Sequence, residues 1–266
     1  MDFSKVKLVV SDMDGTLLNN ENEVSPRFFE QFKELQKRNI HFAAASGRQF
    51  QSIQDKLEPI NTEISIIGEN GGIMQYRNQT EVLLQISKED VTGCINLLRG
   101  IDNCYIVLCG RNAAYVETKN KEFLTRLRNY YSAIVQVNDL TSVSDEQFLK
   151  IAVFHFDSSE EFVFPFLDSL MDDYQVIVSG QNWLDISHIE ANKAYALKIL
   201  QENLGITEQE TLVFGDYNND LEMLGLGEFS FAMANAHPKV KSIARYMTKS
   251  NSEEGVEYIL GKLLEH

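Results

Sequence analysis

The stretch "KLVVSDMDGTLLNN", Lys7 to Asn20, decides the architecture. Leu8-Val9-Val10 is an apolar run that stops at two carboxylates one residue apart, Asp12 and Asp14. A short, continuously apolar run bounded by turn residues reads as a strand buried on both faces, as in a parallel sheet. Asp12 then lies at the carboxyl end of a parallel strand, where open α/β sheets hold their ligands. Asp14 falls in the following turn, which Gly15 helps to bend.

Working outward, "SPRFFEQFKELQKRN" predicts a helix with Ser25 as N-cap, Pro26 in the first turn and Phe28, Phe29, Phe32 and Leu35 on one face. "IHFAAASG" is a second apolar strand running into Gly47, "RQFQSIQDKLE" a helix closed by Pro59, and "EISIIGENGG" a strand entering a glycine-rich loop. Strands separated by single helices indicate βαβ units and a parallel sheet. From about Leu84 to Ser187 the rhythm changes to helices followed by strand pairs. Helix "SKEDVTGCINLLR" precedes "CYIVLCG" and "AAYVET"; "KEFLTRLRNYY" precedes "IVQV" and "LKIAVFHF"; "SEEFVFPFLDSLM", interrupted or opened by Pro165, precedes "QVIVSG" and "WLDIS". That pattern suggests an α+β module with a mostly antiparallel sheet. "NKAYALKILQENLG", "ETLVFGD" and "NNDLEMLGLG" then return to the opening pattern. The reading is an α/β protein whose parallel-sheet core, residues 1–83 and 188–266, is interrupted by an inserted α+β domain, residues 84–187.

Composition narrows the function classes. The chain has 266 residues, 44% hydrophobic and 10% aromatic, ample for a packed core. A net charge of −15 disfavours nonspecific binding to nucleic acid or anionic membrane. No apolar stretch is long enough to span a bilayer, and no signal-peptide core follows Asp2 and Lys5. Cys94, Cys104 and Cys109 are odd in number, lack metal-ligand spacing and suit core packing in a reducing compartment. The expectation is a soluble cytoplasmic protein with no obligate protein partner. The closing Leu264-Glu265-His266 resembles an expression-tag remnant and carries no weight.

A second strand, "TLVFGD", also ends in an acid, Asp216, followed by Asn219 and Asp220. Three carboxylates from two strand ends repel one another unless a cation sits among them. All-oxygen ligation of low multiplicity favours Mg²⁺, which commonly bridges to a substrate phosphate. Ser46 at the end of a third strand and Lys193 at a helix start supply anion contacts. Together these residues point to phosphoryl transfer.

"DMDGTLL", "SGR", "NK" before a helix and "GDYNND", in this order, resemble the motifs of the haloacid dehalogenase superfamily. Within it the chain is similar to the Cof-type phosphatases, which carry a large α/β cap between the second and third motifs. "GENGG" resembles the family's Asn-Gly loop, and "AMANAHPKVKSIARYMTKSNSEEGV" its C-terminal stretch. The resemblance implies a Rossmann-like core with an inserted cap, and a role for each matching residue. Asp12 is the expected nucleophile, forming an aspartyl-phosphate; Asp14 is the expected general acid and base. Mg²⁺ is expected on the Asp12 carboxylate, the Asp14 backbone carbonyl and Asp216, with Asp220 in support. Ser46, Gly47, Lys193 and Asn219 are the expected phosphate contacts. Asn192 and Ala194 flank the lysine where serine and glycine are common, Ser46 replaces a threonine, and Gly72 stands where alanine is usual. The expected substrates are sugar phosphates.

Simpler readings stand beside these. Asp220 could cap the helix "DLEMLGL", and Arg48 could reach substrate or bind a carboxylate. Trp183 could contact substrate, with packing the safer reading, and His155 and His188 read as strand residues. "FVFPFL" reads as the core face of a cap helix. "GENGG" could be only a tight turn, although Glu69 and Asn70 would sit near the site mouth. A phosphomutase and a catalytically silent phosphometabolite-binding regulator are the competing functions.

Overall fold

A computed structural model describes residues 2–265, so the assignments that touch Met1 and His266 lie outside the described residues. The chain opens with β1 (Leu8–Asp12), α1 (Pro26–Lys37), β2 (His41–Ala45), α2 (Phe50–Lys56), β3 (Ser65–Gly68), β4 (Ile73–Tyr76) and β5 (Gln79–Val82). Next come α3 (Lys88–Leu98), β6 (Tyr105–Gly110), β7 (Ala114–Val116), α4 (Lys121–Leu127), β8 (Ile134–Gln136), β9 (Phe148–Phe154), α5 (Ser159–Phe162), β10 (Tyr174–Val178) and β11 (Trp183–His188). It closes with α6 (Lys193–Leu204), β12 (Thr211–Gly215), α7 (Leu221–Leu224), β13 (Phe229–Ala232), α8 (Pro238–Ile243), β14 (Tyr246–Met247) and α9 (Gly255–Leu264).

The first sheet has the order β14-β13-β12-β1-β2-β3-β4-β5, with every pair from β14 to β3 parallel. Strand β1 is central and buried along its whole length, as its apolar run requires. Successive strands leave β1 on one side as β2 and β3 and on the other as β12, β13 and β14. The strand order therefore reverses between β1 and β12, the place where open sheets form a binding crevice. Helix α1 starts as the sequence predicts: Ser25 Oγ accepts the Phe28 amide at 3.1 Å, and Phe28, Phe32 and Leu35 are buried. Phe28 meets Phe42 of β2 with ring centroids 4.9 Å apart, which ties helix to sheet.

The second sheet, β10-β11-β9-β6-β7-β8, is antiparallel except for the parallel pair β7–β8. It carries an apolar cluster on each face, one around Val91, Ile95, Ile151 and Leu184, the other around Phe123, Leu127 and Phe154. This sheet forms the cap.

Two features differ from the sequence reading, and the interruption expected at Pro165 is present. Residues Ile73 to Val82 form the hairpin β4–β5, antiparallel to β3, with Arg77 and Asn78 at φ 49° and 61° in its two-residue turn. The predicted helix over "SEEFVFPFLDSLM" stops at Phe162 and continues as two 3₁₀ turns, because Pro165 has no amide to donate. "FVFPFL" is consequently not one core face: Val163 and Leu167 are buried, whereas Phe162 and Phe166 are 41% and 61% exposed. Leu264 closes α9 and packs against the main core. Among the described residues no helix is long and apolar enough to cross a membrane.

Candidate active site

The carboxyl ends of β1, β2 and β12 converge on one cavity of about 700 Å³, with Asp12, Asp14, Ser46, Gly47, Arg48, Asp216 and Asn219 among its lining residues. Beneath it Lys193 is wholly buried, its Nζ 2.5 Å from Asp12 Oδ1 and 2.7 Å from Asp220 Oδ1. Burial works against the Lys193 charge, but Asp12 and Asp220 outweigh it and hold its pKa above the usual lysine value. Lys193 does not line the cavity; it underlies the expected nucleophile as its charge partner.

Asp220 is spent. Its Oδ2 accepts the Asp216 amide at 2.9 Å and the Tyr217 amide at 3.1 Å, while Oδ1 accepts Lys193. It makes no side-chain cap to α7 itself, but its bond to the Tyr217 amide closes a capping box on the 3₁₀ turn Asn218–Asp220 that leads into α7, so Asp220 both caps that turn and braces β12 to the lysine. Asp12 Oδ2, by contrast, is buried without a hydrogen-bond partner. Carboxylate oxygens of Asp12, Asp216 and Asp220 lie within 4.8 Å of one another. Burial raises the pKa of both Asp12 and Asp216, and the neighbouring acids add to the effect. Three acids share a single ammonium, with one buried oxygen unsatisfied. This all-oxygen donor set fits a hard divalent cation.

Gly15 makes the crowding possible. It has φ 71°, and a Cβ there would lie 2.3 Å from Asp216 Oδ2. Only glycine lets the turn after β1 pass this close to the acid of β12.

Asp14 faces Arg48. The guanidinium forks onto its carboxylate, Nε to Oδ2 at 2.7 Å and Nη2 to Oδ1 at 2.6 Å. Arg48 also donates to Asn22 Oδ1 and to the Asn129 carbonyl, each at 2.7 Å, and lies over the Tyr130 ring. The carboxylate alternative for Arg48 is therefore what the structure shows, and the carboxylate is the expected general acid.

Ser46 is buried at the end of β2, and its Oγ accepts the Arg48 amide at 3.1 Å. Asn219 donates to Asn70 Oδ1 at 3.1 Å, and Asn70 donates to Asp185 Oδ2 of the cap at 3.1 Å. Asp185 Oδ1 lies 3.3 Å from Lys150 Nζ, which itself donates to the Gly47 carbonyl at 2.6 Å. Lys150 is also 3.1 Å from Glu69 Oε2, an ion contact outside hydrogen-bond alignment. The "GENGG" loop is thus more than a tight turn. Glu69, Asn70 and Gly71 have φ of 50°, 52° and 94°, and a Cβ on Gly71 would lie 2.2 Å from the Asn192 carbonyl, next to Lys193.

Sequence reading missed Lys150, Asp185 and Gln49. Gln49 clasps the cap, donating to the Ala133 carbonyl at 2.9 Å and accepting the Ser132 and Ala133 amides. Lys150 had a signal: it is the one charge in "FLKIAVF", a strand buried at all seven positions. His155 stacks on Phe162 and His188 accepts the Glu190 amide, both outside the cavity lining.

Residues 9–260 match the model of the haloacid dehalogenase-like hydrolases. The 5-amino-6-(5-phospho-D-ribitylamino)uracil phosphatase YbjI of Escherichia coli K12 is 32% identical over 264 residues, 98% of this chain and 97% of its own. SMU.1108c of Streptococcus mutans UA159 superposes with a TM-score of 0.90 at 28% identity, covering 98% of this chain and 100% of that one. The subclass IIB sugar phosphatase BT4131 shares the fold, with a TM-score of 0.83 at 20% identity over 97% of this chain and 98% of its own. With a matched core, an inserted cap and the acid cluster at the sheet's switch point, the chain belongs to the haloacid dehalogenase-like hydrolase family.

Proposed function

We infer that this hydrolase is a Mg²⁺-dependent phosphatase that releases phosphate from small phosphorylated metabolites, with the ester on a sugar or similar carbon. The observation that carries the reading is the buried Asp12–Lys193–Asp220 constellation beneath the cavity, with Asp14 beside it. The relative's name, that of a phosphatase acting on a phosphorylated ribitylamino compound, supports phosphomonoester chemistry.

In the first step an Asp12 carboxylate oxygen attacks phosphorus, forming an acyl-phosphate bond as the ester P–O bond breaks. Asp14 gives its proton to the departing alkoxide oxygen. In the second step Asp14 takes a proton from water, which attacks the phosphoryl group and returns Asp12 as a carboxylate. Lys193 holds Asp12 in place throughout and offsets negative charge at the transferring group. Asp12, Asp216 and the Asp14 carbonyl would hold Mg²⁺, with Asp220 already committed to bracing. The metal's contribution is charge neutralisation at the phosphoryl oxygens. Ser46, Gly47 and Asn219 line the cavity where those oxygens would sit.

The test is phosphate release from a panel of phosphorylated metabolites with Mg²⁺, with EDTA, and with Asp12→Asn. Release that needs Mg²⁺ and vanishes in the variant is expected. Isomerised product without free phosphate would instead establish a mutase.

A further inference from the structure

Two groups of the expected phosphate site are held, through chains of hydrogen bonds, by one ion pair of the cap. Lys150 lies on β9 opposite Ser187 of β11, and Asp185 stands two residues from Ser187, so both side chains leave the same face of the cap sheet. Lys150 and Asp185 are 2% and 5% exposed, with Nζ 3.3 Å from Oδ1. Each also makes one bond across to the core.

The first bond runs from Lys150 Nζ to the Gly47 carbonyl at 2.6 Å. That carbonyl shares its peptide plane with the Arg48 amide, which donates to Ser46 Oγ at 3.1 Å. A cation on the oxygen fixes the plane and polarises the N–H at its other end. With its oxygen already accepting, Ser46 keeps its own hydrogen to donate into the cavity that it lines.

The second bond runs from Asn70 Nδ2 to Asp185 Oδ2 at 3.1 Å, and Asn70 Oδ1 in turn accepts Asn219 Nδ2 at 3.1 Å. A side-chain amide fits equally well turned end for end, but an ionised carboxylate only accepts. Asp185 therefore draws the Asn70 NH₂ toward the cap and leaves the Asn70 oxygen facing Asn219. That oxygen draws the Asn219 NH₂ in the same way. One Asn219 N–H serves this bond, and the second is left for an anion in the cavity that Asn219 lines. Turned over, Asn219 would set a carbonyl oxygen where that N–H stands. Gly47 brings the two chains together, since a Cβ there would lie 2.9 Å from Asn70 Oδ1.

Resting on the phosphatase reading above, we propose that Lys150 and Asp185 are positioning residues for the phosphoryl group. Lys150 sets the Ser46 hydroxyl through the Gly47–Arg48 peptide, and Asp185 sets the amide polarity of Asn219 through Asn70. The donors that meet the phosphate are complete only with the cap seated on the core. Both residues spend their charged atoms on each other and on the core, so they act on the phosphoryl end alone, whatever the leaving group.

Asp185→Asn keeps the shape of the side chain and removes the obligatory acceptor. Calorimetry with inorganic phosphate and Mg²⁺ reads the phosphate site without turnover, and kcat/KM for ribose 5-phosphate and p-nitrophenyl phosphate reads it in the reaction. Asp185→Asn should weaken phosphate binding at least about tenfold and lower both kcat/KM values by one common factor of that order. In an Asn219→Ala background the same substitution should cost less than about threefold, because its target is gone. Asn70→Ala leaves the ion pair intact and should give the same pattern, which keeps the test open if Asp185→Asn does not fold. A loss that is equal in both backgrounds, as a merely loosened cap would give, overturns the proposal. So does a loss that depends on the ester while phosphate binding is unchanged. If the wild type hydrolyses neither ester but phosphate binding follows the expected pattern, the phosphatase reading falls and the positioning role stands. A wild type that does not bind phosphate overturns both.

Discussion

Replacing Glu69 by glutamine should change how stability depends on pH. Glu69 is 1% exposed and shares the Lys150 ammonium with Asp185, so two buried acids face one cation. Burial pushes the Glu69 carboxyl up from its ordinary 4.5 to about 7, with Lys150 opposing the rise. An acid whose folded pKa is raised contributes stability that is fully present below the unfolded value and lost as pH rises through the folded one. The window here runs from pH 4.5 to about pH 7. The gap corresponds to about 3 kcal/mol in full, of which about 2 kcal/mol falls between roughly pH 5 and pH 8. Glutamine stays neutral and leaves Lys150 and Asp185 as a balanced pair. Urea unfolding of both proteins at those two pH values gives the difference, in which titrating groups remote from Glu69 cancel. Any fixed offset from fitting the amide also cancels. The wild type should lose about 2 kcal/mol more than Glu69→Gln between the two pH values. Identical pH slopes for the two proteins would refute the reasoning.

Three further outcomes follow from the same contacts. Lys150→Met leaves Glu69 and Asp185 buried without their cation, and at about pH 8 it should cost about 3–5 kcal/mol in denaturant unfolding. Arg48→Lys keeps the charge but loses the fork onto Asp14. It should slow steady-state release from alkyl phosphates by up to about 10²-fold, while the first burst from p-nitrophenyl phosphate, whose leaving group needs no proton, stays nearly as fast as in the wild type; steady-state rates on alkyl phosphates and burst kinetics on p-nitrophenyl phosphate check this. Gly71→Ala forces a positive φ on alanine and drives its Cβ into the Asn192 carbonyl, so thermal unfolding should show a loss above about 1 kcal/mol.

The residues legible in the sequence were those whose local pattern fixes their place. The apolar run ending at Asp12 reads as a buried parallel strand and is one, and Asp216 repeats the arrangement on β12, its neighbour in the sheet. Ser25 and Pro26 marked the start of α1 for equally local reasons. The cap-to-core network was not legible, because it joins Gly47, Glu69, Asn70, Lys150 and Asp185 across separations that no motif spans. Lys150 alone carried a local signal, which the sequence reading passed over, as a charge inside an apolar strand; its partners depend on how the cap meets the core. At α5 the break at Pro165 was legible, but the loss of a single core face was not. Its phenylalanines fit a helix face, but Pro165 removed the amide that the helix needed. For Asp220 capping was legible from spacing, and only the position of Lys193 adds the brace.

The central claim is that Asp12 accepts the phosphoryl group and Asp14 governs its release to water. Asp14→Asn, given Mg²⁺ and p-nitrophenyl phosphate, removes the base of the second step while sparing the first, whose leaving group needs no proton. Acid quenching within one turnover, followed by peptide mass spectrometry, should find one phosphoryl group on the peptide containing Asp12. Its amount should match the first burst of p-nitrophenol. A burst with no phosphoryl group on that peptide, or with the group on another residue, would contradict the account.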